Sequence, residues 1–141
     1  MSEEDISVVR EQFDAVNRRD FERAMELYAD DVTLVASPDS VKPGVFDGKD
    51  AVGEWFGDWF RTFDRDYRFE IDEARRLPEG PIYLHARHGG RGRLSGVEVH
   101  DENAYLYCVV DGKITRAGFF LTREEALQAA SLPEWSEPKT D

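Results

Sequence analysis

Residues 104–130 read AYLYCVVDGKITRAGFFLTREEALQAA. Two runs rich in aromatic and β-branched residues flank Asp111-Gly112, a dipeptide that closes tight hairpins because both positions tolerate a positive φ. After the second run, Thr122-Arg123-Glu124-Glu125-Ala126-Leu127 opens a helix. The stretch therefore predicts strand, turn, strand, helix. That is the closing corner of a curved sheet with helices on one face, an architecture that encloses a single pocket.

Upstream, residues Glu3 to Arg18 set Ile6, Val9, Phe13 and Val16 on one helical stripe, with Ser2 as a cap and Asp5 three residues on. Asp20 starts a second, shorter helix with Phe21, Ala24, Met25 and Tyr28 inward, and Asp30-Asp31 ends it. Val32 to Ala36 read as a short strand and Ser37 to Lys49 as a loop. A third helix over Asp50 to Phe63 places Val52, Trp55, Phe56, Trp59, Phe60 and Phe63 on one stripe. Gly53 and Gly57, on another side, lower its propensity. Near residue 65 the period changes to two. Tyr67, Phe69 and Ile71 alternate with Arg68, Glu70 and Asp72, and further strands follow over Ile82 to His88, Val97 to Val110 and Lys113 to Leu121.

At 141 residues the chain forms one domain, expected over 1–130, with 131–141 a loosely ordered tail. Thirty acidic against eighteen basic residues leave a net charge of −12, which opposes binding to nucleic acid and to anionic membranes. No run approaches the ~18 apolar residues of a membrane span. The acidic Met1-Ser2-Glu3-Glu4-Asp5 lacks the basic and apolar regions of a signal peptide. A single cysteine, Cys108, excludes an internal disulfide framework and suits the cytoplasm.

Three helices, one short strand and a four-stranded meander follow the order of the SnoaL-like branch of the nuclear transport factor 2-like superfamily, also called ketosteroid isomerase-like or cystatin-like. Several segments resemble that family in residues as well: Tyr28-Ala29-Asp30-Asp31-Val32-Thr33, Phe46-Asp47-Gly48-Lys49-Asp50-Ala51-Val52, Gly90 to Val97, Val110-Asp111-Gly112-Lys113-Ile114 and Arg123-Glu124-Glu125-Ala126-Leu127. The resemblance implies an α+β domain, a cone-shaped antiparallel sheet against three N-terminal helices, and a homodimer through the outer sheet face. Its isomerases use a Tyr, an Asp base and a protonated Asp; those places hold Gln12, Ala36 and Tyr105 here. Its cyclases use a His and an Asp, and those places hold Tyr105 and Phe119. The family's catalytic groups are therefore absent from their usual positions.

The hairpin register decides which side chains meet. A two-residue turn sets Tyr105 opposite Gly118; a three-residue loop sets it opposite Ala117, with Asn103 opposite Phe119. The resemblance supports the second. Asp101, Asn103, Tyr105 and Tyr107 then share a face with Ala117 and Phe119.

A mostly apolar pocket is expected between the first helix, the third helix and the sheet, lined by Gln12, Tyr28, Trp55, Trp59, Asn103, Tyr105 and Phe119. Tyr105 suits donation to a substrate oxygen, or a neighbour inside the sheet satisfies its hydroxyl. Asp101 is a candidate base at the mouth, or a solvated strand-end carboxylate. The Trp55–Trp59 wall is a ligand surface or plain core. His85 and His88 point to opposite faces and cannot chelate one ion, so no metal and no cofactor are expected. His85 and Arg87 share a face suited to an anion, or form an exposed basic row. Gly90 to Gly96 cradles a phosphate or simply joins two strands. The expected function is binding of a small apolar or aromatic molecule. The alternatives are a cofactor-independent isomerase, cyclase or dehydratase working by proton transfer, and a protein-interaction module.

Overall fold

A computed structural model describes residues 2–40, 42–62, 66–92 and 94–136. Phe63 of the third-helix stripe, Arg93, and the tail beyond residue 136 lie outside the described residues, as does the Ser2 side chain expected to cap the first helix.

Helices α1 (Ser2–Asn17) and α2 (Phe21–Glu26) precede strands β1 (Tyr28–Ala36) and β2 (Gly44–Asp47). Helix α3 (Lys49–Thr62) leads into β3 (Arg68–Arg76), β4 (Ile82–Arg91), β5 (Glu98–Val110) and β6 (Lys113–Phe120). Helix α4 (Arg123–Ala130) and a 3-10 turn, Pro133–Trp135, follow. The fold is the α+β cone expected: one curved sheet in the order β2-β1-β6-β5-β4-β3 with the N-terminal helices in its hollow. It is antiparallel except where β1 runs parallel to β6. That pair departs from the all-antiparallel expectation because β1 comes from the helical layer and enters the sheet beside the last strand.

Two element assignments change. Tyr28 is not on α2 but begins β1: the Leu27 carbonyl accepts from the Ile114 amide at 2.8 Å, drawing the chain into the sheet at the end of a six-residue helix. Asp20 caps that helix by accepting from the Arg23 amide at 3.1 Å. The expected loop over Ser37 to Lys49 contains β2, which pairs Thr33 with Asp47 and Val35 with Val45. A four-residue edge strand beside Pro43 and two glycines is too short to show a period.

The β5–β6 register is neither alternative. Asp111 and Gly112 form a two-residue turn at φ 52° and 78°, and Val110 faces Lys113. A register shift between Cys108 and Val109 then leaves Thr115 without a partner, so Tyr107 faces Ala117 and Tyr105 faces Phe119. The bulge moves the pairing by one residue and so returns these four side chains to a single inner face.

The sheet carries apolar residues on both faces. Inward, Val9, Phe13, Leu34, Val52, Trp55, Leu84, Tyr105 and Ile114 belong to the main core. Outward, α4 and Trp135 lie over Tyr83, Ala104, Leu106 and Phe120. Trp135 is 1% exposed, with the Arg116 guanidinium 5.5 Å from its ring centroid. A Cβ on Gly118 would lie 2.8 Å from the Trp135 ring, so only glycine fits there. The first part of the expected loose tail is thus packed. Among the described residues no helix is long and apolar enough to cross a membrane.

Candidate functional site

The helical stripe of α3 and the inner face of β5–β6 converge on a narrow cavity of about 40 Å³. Helix α1 contributes Gln12, Phe13 and Val16; α3 contributes Trp55, Phe56 and Trp59. From the sheet come Phe69, His88, Tyr105, Tyr107, Ala117 and Phe119. The rings interlock: Phe13 stands edge-on to Tyr105 at 5.6 Å, and Phe119 lies 5.7 Å from Tyr105 and 5.8 Å from Trp55. The Trp55 indole N–H donates to the Lys42 carbonyl at 3.1 Å, which fixes the ring at the edge of the cavity.

Five of the seven expected site residues meet there: Gln12, Trp55, Trp59, Tyr105 and Phe119. Tyr28 does not line the cavity. It is 1% exposed against Phe56, its hydroxyl without a partner among the described residues. Asn103 is also set back, where it holds His88. Asp101 is exposed in a neighbouring groove between β3, β4 and β5 that shares Phe69 and His88 with the cavity, its carboxylate accepting from the Glu102 amide at 2.8 Å.

The polar groups of the cavity fall into two sets. Gln12, Tyr105 and Tyr107 are each more than nine-tenths buried, and none has a hydrogen-bond partner among the described residues. Burial, reinforced by the neighbouring tyrosines, pushes the phenols of Tyr105 and Tyr107 far above their ordinary range, so both remain donors at any physiological pH.

The second set is a chain. The Trp59 ring stands edge-on to Tyr67, centroids 6.3 Å apart, Tyr67 bonds His88 Nδ1, and His88 Nε2 lies 2.5 Å from Asn103 Oδ1. An amide oxygen carries no hydrogen, so Nε2 holds the proton and Nδ1 accepts from Tyr67. Burial holds the His88 pKa below the usual histidine value, against weaker opposing pulls from Asn103 and Asp101. The imidazole is therefore uncharged at neutral pH. His88 was missed as a site residue, although the inward alternation of Ile82, Leu84 and Ala86 along β4 extends to it.

Outside the cavity, His85 and Arg87 do share the outer face, but carboxylates already face them. Arg87 Nε donates to Asp72 at 2.9 Å, and His85 sits 3.1 Å from Asp72 and 3.6 Å from Glu102. In the Gly90 to Gly96 connection the Gly92 amide bonds the Val97 carbonyl and the Gly96 amide bonds the Gly92 carbonyl. Those donors close a hairpin and are not free for a phosphate. Among the described residues no three His, Cys, Asp or Glu side chains come together as a metal site.

The model of the SnoaL-like domain family matches residues 9–117. Bal32a, from a soil-derived mobile gene cassette, shares 15% identity at a TM-score of 0.74, over 90% of this chain and 95% of that one. TerC, co-crystallised with polyporic acid, shares 14% at 0.71, over 92% and 99%. A protein of ketosteroid isomerase-like fold from Catenulispora acidiphila DSM 44928, in complex with trimethylamine, shares 18% at 0.69, over 93% and 97%. A comparison with curated sequences finds no match.

Proposed function

We propose, from the premise that this chain belongs to the SnoaL-like family, that it binds a small, largely apolar or aromatic molecule bearing one or two polar atoms. The observation that carries this reading is the trio Gln12, Tyr105 and Tyr107, polar groups facing an apolar cavity without partners. A ligand oxygen in hydrogen-bond reach of one of them gains a bond worth roughly 0.5–1.5 kcal/mol. Two structural neighbours were solved with small molecules, polyporic acid and trimethylamine, which supports a pocket used for such compounds. The test is electron density for a co-purified or soaked ligand. A polar ligand atom within about 3 Å of Tyr105 or Gln12 supports the reading. An interior that stays empty in crystals soaked with a range of small aromatic molecules counts against it.

One observation favours catalysis as a second reading: an uncharged histidine lines the cavity. His88 serves as a base only where a substrate displaces the Tyr67 hydroxyl from Nδ1, since both ring nitrogens are already bonded. Isomerisation, cyclisation or dehydration by proton transfer fits that arrangement. A dimer through the outer sheet face, as the family resemblance implied, would use the part left open by α4 and Trp135, which cover Tyr83, Ala104, Leu106 and Phe120. A cytoplasmic location rests on the single buried Cys108 and on the acidic composition.

A further inference from the structure

Small-molecule sites commonly enclose about 300–1,000 Å³, and the inner cavity, at about 40 Å³, falls far short. A second concavity of about 370 Å³ lies on the helical side, between α1, α2 and α3. Gln12, Val16 and Phe56 line both spaces, so the wall between them is one side chain thick. Its polar member, Gln12, is 3% exposed and has no hydrogen-bond partner among the described residues.

Gly53 and Gly57 stand one helical turn apart on the groove side of α3. Each costs a helix interior about 1 kcal/mol relative to alanine, and what each leaves is room. A Cβ at Gly53 would lie 3.4 Å from the flexible Met25 thioether, and one at Gly57 would lie 3.4 Å from the Arg61 guanidinium. Among the described residues the cavity lining holds no carboxylate and no lysine or arginine, its histidine is uncharged, and the groove lining adds Arg61.

We infer that groove and cavity form one binding site with Gln12 at its waist, and that its ligand is an elongated neutral amphiphile. The hydroxyl or carbonyl end lies inside, against Tyr105, Tyr107 and Gln12, and the apolar body lies along the groove past Gly53 and Gly57. Gln12 and Phe56 swing aside to admit it. This rests on the binding reading above and extends it to the ligand's shape and charge.

The test uses para-alkylphenols, from methyl to nonyl, titrated calorimetrically into the whole protein. Affinity is expected to rise about three- to fourfold per methylene once the chain reaches the groove. Gly57→Leu fills the groove and is expected to abolish that rise. Gly57→Ala, which adds one methyl at ordinary contact distance, should keep it. Wild-type affinity that is independent of chain length overturns the inference even if para-cresol binds, and leaves the cavity reading standing. A length dependence that survives in Gly57→Leu also overturns it. Absence of binding by every member overturns both readings.

Discussion

His88 is the histidine that lines the cavity. Its folded pKa is depressed by burial, so folding favours the neutral ring and the unfolded chain takes up a proton more readily. Stability from this group is complete above the ordinary histidine value of about 6.5 and is lost as pH falls below it toward the folded value. Urea titrations between pH 7.5 and about 5 should show falling stability in the wild type. His88→Gln should flatten that slope, and an unchanged slope would assign the effect elsewhere. Tyr105→Phe carries the opposite expectation from a usual buried-tyrosine change. No hydrogen bond is lost, so unfolding midpoints should hold or rise slightly, while para-cresol affinity drops roughly fivefold, the equivalent of about 1 kcal/mol. Residue identities alone placed Gln12, Trp55, Trp59, Tyr105 and Phe119 together, because helical and strand periods assign faces. They did not place Asn103 against His88: that contact depends on an imidazole and an amide rotating within a register set by pairing between β4 and β5.

Among the elements, α4 shows how a short helix is held. Thr122 accepts from the Glu125 amide at 3.1 Å, and the Glu125 carboxylate accepts from the Leu121 amide at 3.0 Å. Its other oxygen receives the hydroxyl of Ser37, 1% exposed at the end of β1, at 2.7 Å. Thr122→Ala should cost about 1 kcal/mol, the ordinary value of a helix cap. Glu125→Ala should cost about 2 kcal/mol, because it also takes the acceptor from the buried Ser37 O–H, whose oxygen keeps only the Asp39 amide. Thermal or urea melts that rank the two variants the other way would show that Ser37 finds another partner. The helix was legible from its sequence and its link to Ser37 was not. The same limit explains β2, which exists only because β1 offers it an edge, and Tyr28, which a hydrogen bond from Ile114 takes out of the helix.

In the whole molecule the outer sheet face has been roofed by the chain's own C-terminal segment. Trp135→Ala should cost roughly 3–5 kcal/mol, as for large aromatic residues removed from a core. A change under 1 kcal/mol in chemical unfolding would mean that this roof is loose. Sedimentation of the same variant is informative too, since uncovering Leu106 and Phe120 offers an apolar face to a second subunit. Periodicity and motif order disclosed the cone, its helices and its meander. They could not disclose that α4 folds outward or that β1 lies parallel to β6, since both depend on where distant segments meet.

That parallel pair has a consequence for how the protein is made. β1 ends at Ala36, whereas β6 starts at Lys113, so one edge of β1 lacks a neighbour until most of the chain has left the ribosome. Pairing so remote in sequence is slow, and an open edge invites association with other nascent chains. Exposed charges at Asp30 and Asp31 sit on that edge, at the irregularity in its pairing, and discourage such encounters. A polypeptide stalled before β6 would hold its strands in two unconnected ribbons, β2–β1 and β3–β4–β5, with no floor beneath the cavity. Assembly of this molecule therefore waits for release from synthesis, and a premature stop anywhere before the last strand yields a chain with nothing to join its halves.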